Sequence, residues 1–378
     1  MEPMRANKGL AGLIAGETAV SKVDTTLNTL LYRGYDINEL CEKCSFTEVA
    51  YLLLHDDLPN QSQLNEFEQF EKKHRKIPES IYESFGALTT TSHPMDLLKI
   101  GVSMLGAINP DNELGSNTHE DNLTKAKLLF AQMPNIVANS YRITHDMPIV
   151  RPDPNFSYAE NFLYMITGKK DQDDLSIKVL DNSLTLYAEH GYNASTFSAR
   201  VTASTLSDFY SSISTAIGTL KGPLHGGANE QVMYMLKDIN EPSKAESYIH
   251  DKMNKKEKIM GFGHRLYRTG DSRTAVIKTL GKQLGQKLGI TKWHEISNIV
   301  ENIIVKEKNI YPNLDFPAAT AYYLLDIPID LFTPIFAASR LTGWAAHIME
   351  QQDDNRLIRP SCDYSGNEKR NVSTIQNR

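Results

Sequence analysis

Three stretches of this 378-residue chain set acid–base side chains where the backbone is free to turn. Lys221-Gly222-Pro223-Leu224-His225-Gly226-Gly227-Ala228-Asn229-Glu230 places one imidazole between Gly-Pro and Gly-Gly. Gly261-Phe262-Gly263-His264-Arg265 places a second in a glycine turn, and Tyr311-Pro312-Asn313-Leu314-Asp315-Phe316-Pro317 presents a carboxylate between two prolines. Glycine lets backbone approach a ligand closely and take positive φ. Both histidines are therefore expected on sharp turns. Imidazoles and a carboxylate transfer protons when held within hydrogen-bond reach of a substrate. The expectation is that His225, His264 and Asp315 form one active site, with arginines binding its substrate.

Other chemistries fit less well. Zinc sites usually take two ligands from a short spacing such as H-x₃₋₅-H, and no His pair here has it. A metal-dependent hydrolase or lyase built on His190, His225, His264 and Asp315 is the distant alternative, and no metal is expected. Gly261-Phe262-Gly263 begins like a dinucleotide fingerprint, but Leu266 stands where the third glycine belongs and no strand precedes it. The His225 loop lacks the Lys-Ser/Thr of a phosphate loop. His190, in Ala188-Glu189-His190-Gly191, is either a third site imidazole or a charge partner for a helix C-terminus.

The elements that must hold these residues read as helices. Ser45-Phe46-Thr47-Glu48 is a capping box that opens an apolar run to Leu54. Further helices are expected over 62–76, 93–105, 122–141, 158–167, 173–189 and 195–220, the last rich in Ser, Thr and Ala. Past the His225 loop they are expected over 230–236, 244–259, 273–288 and 296–305, from Asp315, and over 331–351. Ile296, Ile299, Val300, Ile303 and Ile304 fall on one helical face. Only 9–34 reads as extended, with short strands at Leu13–Val20 and Leu30–Gly34. The fold class is all-α with short N-terminal strands, and scarce strands exclude a Rossmann or barrel core. A small domain over 226–320 is expected inside a larger one made of 1–225 and 321–378. His225 and Asp315 then sit near its boundaries, where clefts and hinges occur.

Net charge is −6 and hydrophobic residues are 40% of the chain, ordinary for a soluble protein and no sign of a nucleic-acid partner. There is no apolar leader and no membrane-length apolar run. Three cysteines, an odd count, suit a reducing compartment, so a cytoplasmic location is expected. Cys41-Glu42-Lys43-Cys44 reads as two incidental thiols at a helix end.

Taken together the motifs resemble the citrate synthase family. The resemblance rests on the three stretches above in their order and spacing, with Tyr267 and Asp271-Ser272-Arg273 after His264. It extends to Ser195-Thr196-Phe197-Ser198-Ala199-Arg200, to Ser339-Arg340 with Gly343 to His347 after it, and to Asn355-Arg356-Leu357-Ile358-Arg359-Pro360. It implies an all-helical, two-domain homodimer that closes over its substrates and needs no cofactor beyond its CoA thioester. Such an enzyme condenses acetyl-CoA with oxaloacetate to citrate, or propionyl-CoA to 2-methylcitrate, and hydrolyses the thioester. By position, Asp315 removes the α-proton, His225 stabilises the enolate oxygen and His264 donates to the oxaloacetate carbonyl. Arg273, Arg340 and Arg359 hold the carboxylates, Arg359 from the partner subunit, and His190 is a further oxaloacetate contact. Arg265, Arg268, Lys306 and Lys308 are either CoA phosphate contacts or solvated surface charges. Ser361, where many members have arginine, leaves the acyl chain open.

Overall fold

The computed structural model describes residues 8–10, 12–108, 117–264, 267 and 270–378. The antiparallel strands β1 (Ser21–Asp24), β2 (Thr29–Tyr32) and β3 (Tyr35–Asp36) form one small sheet. The Asp24 carboxylate accepts from the N–H groups of Thr26 and Leu27, each at 3.0 Å, and so fixes the turn that pairs β1 with β2. The expected strand at Leu13–Val20 does not form. The turn pairs β2 with Ser21–Asp24, which leaves the preceding segment without a partner and Ile14 88% exposed.

Helices α1 (Ile37–Lys43), α2 (Phe46–His55), α3 (Gln61–His74), α4 (Glu79–Gly86), α5 (Pro94–Ile108) and α6 (His119–Thr144) follow. The Ser45–Glu48 capping box opens α2 as expected. Cys41 is buried within α1 and Cys44 ends it, both as free thiols. Then come α7 (Tyr158–Thr167) and α8 (Asp174–Tyr187). The single helix expected over 195–220 is two, α9 (Ala194–Ser204) and α10 (Phe209–Leu220). The chain turns at Leu206, with φ 63°, and Asp208 caps α10 by accepting from Ser211 N–H at 2.9 Å. A capping side chain that offers the backbone a new start ends the run despite its uniform composition.

Five helices, α11 (Ala228–Ile239), α12 (Pro242–Asn254), α13 (Thr274–Leu288), α14 (Lys292–Lys308) and α15 (Asp315–Leu324), pack on one another. The last, α16 (Phe332–Asp353), is buried around nearly its whole circumference, against α2, α6, α8, α9, α10 and α11. An apolar helix of this kind belongs at the centre of a fold. Among the described residues no helix is long and apolar enough to cross a membrane.

Candidate active site

The C-terminal end of α8 is pinned by Tyr32. Its hydroxyl oxygen lies 3.1 Å from Thr185 O and 3.0 Å from Glu189 O, and accepts from Glu189 N–H at 3.1 Å. That pin fixes Tyr187, Glu189 and His190 as the chain leaves the helix. Glu189 is buried and turned away, against buried His347 at 2.9 Å. Tyr187 faces the other way and donates to Asp315 Oδ1 at 2.8 Å. Its backbone carbonyl accepts from Arg340 Nε of α16 at 2.6 Å.

Arg340 is 2% exposed and lies over the Phe336 ring at 4.7 Å. No carboxylate pairs with it within 4.0 Å among the described residues. Burial pulls its pKa down to about 10, so it stays cationic at neutral pH. A buried guanidinium without a counter-ion is costly unless an anion arrives. Arg273, by contrast, is held by Asp271 through Nε at 2.9 Å and Nη2 at 2.7 Å. Burial works against the Arg273 charge, and the Asp271 carboxylate more than offsets it, raising its pKa.

His225 and His264 are oriented by backbone donors. His225 Nε2 lies 3.3 Å from Ser195 N and 2.8 Å from Ser195 Oγ at the start of α9. The Ser195 hydroxyl also has Asn193 Oδ1 at 2.7 Å and accepts from Trp344 Nε1–H at 3.1 Å. A backbone N–H only donates, so Nε2 is the acceptor and the ring proton sits on Nδ1. The same logic applies to His264, whose Nδ1 accepts from Tyr267 N–H at 3.2 Å, leaving the proton on Nε2. Burial, then the Arg340 charge, lowers His225 to about 4. Burial and Arg273 lower His264 to about 4, against a smaller opposing pull from Asp271. His190 packs edge-on to His264 at 5.0 Å, and burial with the neighbouring Arg273 drives it well below the usual range. Three neutral imidazoles thus stand beside two guanidinium groups.

The loops carrying His264 and Asp315 are stitched together. Gly261 and Gly263 take φ of 83° and 82°, a turn open to glycine at no steric cost. Between them Phe262 bridges to Pro312, Gly263 N–H donates to Tyr311 O at 2.8 Å, and Asn313 N–H donates to Gly261 O at 2.9 Å. Asp271 Oδ2 also accepts from Leu314 N–H at 3.3 Å, so the carboxylate that holds Arg273 holds the residue before Asp315. Asp315 opens α15, where its N–H donates to Asn313 Oδ1 at 3.1 Å. Burial raises its carboxyl to about 6, against the Tyr187 hydrogen bond and the charges of Arg273 and Arg340.

Shared neighbours connect the groups into one site. The Phe336 ring contacts Tyr187 at 4.3 Å and His225 at 6.4 Å, and Tyr187 reaches Asp315. His264 joins through His190 and Arg273. Of the residues expected from sequence, His190, His225, His264, Arg273, Asp315 and Arg340 come together. Arg359 is exposed on the segment after α16, and Lys306 and Lys308 are exposed at the end of α14. Arg265 and Arg268 lie outside the described residues. Sequence reasoning passed over Tyr187, Ser195, Asp271 and Phe336 as working parts. Ser195 and Asp271 stood inside quoted motifs, but only packing shows what they hold.

The family described as "Citrate synthase, C-terminal domain" matches residues 9–361. The chain is 46% identical to citrate synthase 2 of Bacillus subtilis (strain 168), over 99% of this chain and all of that protein. It is 44% identical to 2-methylcitrate synthase of Mycobacterium tuberculosis (strain ATCC 25618 / H37Rv), over 96% of this chain and 91% of that protein. The structure of a Thermoplasma acidophilum citrate synthase in ternary complex with carboxymethyl coenzyme A and oxaloacetate superposes with a TM-score of 0.92 at 32% identity. That match covers 98% of this chain and 99% of that one.

Proposed function

The chain belongs to the citrate synthase family, and from that premise we propose that it condenses acetyl-CoA with oxaloacetate and hydrolyses the product thioester, releasing citrate and CoA. The observation that carries this reading is the Asp315 carboxylate, desolvated and held by Tyr187, across Phe336 from the neutral His225. A carboxylate is a weak base for a thioester α-carbon, so proton removal needs a donor aimed at the oxygen that becomes negative. His225 Nδ1–H supplies it, and Asp315 takes the proton. The enolate carbon attacks the ketone of oxaloacetate, whose oxygen gains charge facing His264 Nε2–H. Water then cleaves the thioester, giving the carboxylate and free CoA. No step requires a metal or a further cofactor.

Arg340 and Arg273 suit the two carboxylates of oxaloacetate, since planar guanidinium forks match carboxylates in pairs. His190 adds a polar contact beside them. In this reading Arg359 reaches the site of a partner subunit in a homodimer. The α11–α15 region closes over the substrates, excluding water while the enolate exists. Arg265, Arg268, Lys306 and Lys308 are proposed for the CoA phosphates, and the cytoplasm for the location.

A second reading is favoured by Ser361 and by the relatives named 2-methylcitrate synthase: propionyl-CoA in place of acetyl-CoA. One methylene is worth only about 10–200-fold in an apolar pocket. The test is CoA release with oxaloacetate, comparing kcat/KM for the two thioesters. A clear acetyl preference supports the first reading and a clear propionyl preference the second. Release with neither from folded protein overturns both.

A further inference from the structure

Glu230 is 7% exposed and lies outside the constellation described above, yet it touches the element that carries His225. It sits in the first turn of α11, directly after the His225-Gly226-Gly227 turn. Its Oε1 accepts a short hydrogen bond from Thr333 Oγ1 and a second from Thr333 N–H at 3.3 Å. Thr333 is 1% exposed and stands in the first turn of α16. Its hydroxyl oxygen also lies 3.4 Å from Gly226 O and 3.4 Å from Asn229 Oδ1. The carboxylate therefore bridges the turn after His225 to the Thr333 N–H and hydroxyl in the first turn of α16. Further along the same helix stand Phe336, against His225, and Arg340. On the same face of α11 one turn on, Tyr234 donates to Asp330 at 2.7 Å, but this bond is exposed.

We propose that Glu230 is a positioning residue: by clamping the start of α11 to the first turn of α16, it sets where the His225 ring stands relative to Phe336 and Arg340. The geometry assigns it no contact with substrate. This rests on the proposed condensation for its kinetic readout only. Losing the clamp lets the His225 turn move independently of α16. The enolisation step, which needs His225 aimed at the thioester oxygen, then suffers, while oxaloacetate binding on Arg273 and Arg340 does not.

Four variants of the full-length protein test this: Glu230→Ala, Glu230→Gln, Thr333→Val and, as the exposed-bond control, Tyr234→Phe. Glu230→Ala is expected to lose kcat by about tenfold or more, the effect of misaligning one strong hydrogen-bond donor. Its dissociation constant for oxaloacetate should stay within about twofold of wild type in calorimetric titration. Glu230→Gln keeps the acceptor oxygen and restores kcat to within about threefold. Tyr234→Phe leaves kcat unchanged. A kcat for folded Glu230→Ala within twofold of wild type overturns the proposal, and so does an equal loss of kcat and oxaloacetate affinity. If Glu230→Ala does not fold, Thr333→Val decides. It keeps the backbone donor and the side-chain shape, and an unchanged kcat sinks the clamp. A readout independent of turnover guards against failure of the condensation reading itself. Carbethoxylation of His225 by diethyl pyrocarbonate, followed by peptide mass spectrometry, should speed up about fivefold or more in Glu230→Ala or Thr333→Val, and not in Glu230→Gln. An unchanged rate in both of the first two overturns the proposal whatever the enzyme's substrate.

Discussion

Replacing Asp315 with Asn should stop turnover and make the empty protein more stable. The carboxyl is raised from an ordinary value of 3.8 to about 6, with burial as the leading cause. A group whose acid form is favoured by folding contributes stability below its unfolded pKa and loses it as pH rises through the folded value. At pH 7.5 the ionised Asp315 therefore weighs against the fold. The displacement corresponds to about 3 kcal/mol at one pKa unit per 1.36 kcal/mol, an upper bound because the unfolded chain is not fully solvated at every site. Asparagine is the same size and keeps an oxygen for the Tyr187 hydroxyl at 2.8 Å, so the packing should survive. Asp315→Asn is expected to gain up to about 3 kcal/mol at pH 7.5, a few degrees in Tm for a chain of this length.

The gain must shrink as pH falls from 7 to 4, because wild-type Asp315 protonates there and the two side chains become alike in charge. The assay is thermal unfolding of both proteins, without substrates, at half-unit pH steps from 4 to 8. In parallel, kcat of the variant should fall by about 10²–10⁴-fold, the usual contribution of a placed general base. Wild-type kcat/KM should drop below about pH 6 as the base is protonated, following the value to which Asp315 is raised. Equal Tm at every pH would show that the carboxylate is not held under electrostatic cost. Turnover within tenfold of wild type would move the base elsewhere.

Three further outcomes are expected. Arg340→Gln should weaken oxaloacetate binding by about 30–1,000-fold, the cost of losing one buried charge partner, read by calorimetry; a change under threefold removes Arg340 from the site. Gly343→Ala should lower Tm by several degrees, since an added Cβ would stand 2.2 Å from Glu189 Oε2 and 2.5 Å from Ala188 O, and overpacking costs about 1–3 kcal/mol. Mixing inactive Arg359→Ala with inactive Asp315→Asn should restore part of the activity when subunits exchange, and no recovery in verified mixed dimers would refute a shared site.

The chemistry was legible where the sequence had to depart from a helix. His225, His264 and Asp315 sit between glycines and prolines because a helical run cannot present them, so the punctuation marked the site before any packing was known. Arg273 and Arg340 lie at a helix boundary and inside a helix, and only the family resemblance picked them out; His190, past a helix end, read equally as a site imidazole or a helix-end charge partner until that resemblance. The partners of these groups were not legible at all. Tyr187 reads as one more apolar position of α8, and nothing in its neighbours tells that its hydroxyl meets a carboxylate from α15. Ser195 reads as an ordinary residue of a Ser-rich helix until His225 is brought against its N–H. The fold failed in the same way at Leu13–Val20. A strand needs a partner, and the turn at Asp24 had already given β2 to Ser21–Asp24. The break before α10 had a local signal in Asp208 that a uniform small-residue composition hid.

The site carries electrostatic costs of opposite sign. Arg340 is a buried cation with no carboxylate within 4.0 Å among the described residues, supported only at longer range by the Glu189 charge, and Asp315 is a carboxylate raised by burial. The two do not cancel by pairing, because the Tyr187 side chain takes Asp315 while the Tyr187 carbonyl takes Arg340 Nε. One tyrosine thus keeps base and cation apart. An internal ion pair would stabilise the fold, leave the base too weakly basic and occupy the guanidinium that a substrate carboxylate needs. Burial, and after it the charge of Arg340 beside His225 and of Arg273 beside His264, keeps the imidazoles neutral. Neutral rings donate one proton each in a direction fixed by Ser195 and Tyr267 N–H, so the arginines that would bind oxaloacetate add to burial in holding the groups that would act on it neutral. Binding a dianion relieves the cationic field and should raise the His225 and His264 pKa values toward the ordinary range. Even an ordinary imidazole value of 6.5 leaves each ring largely neutral at pH 7.5, so the single N–H that each would donate is kept after the dianion binds.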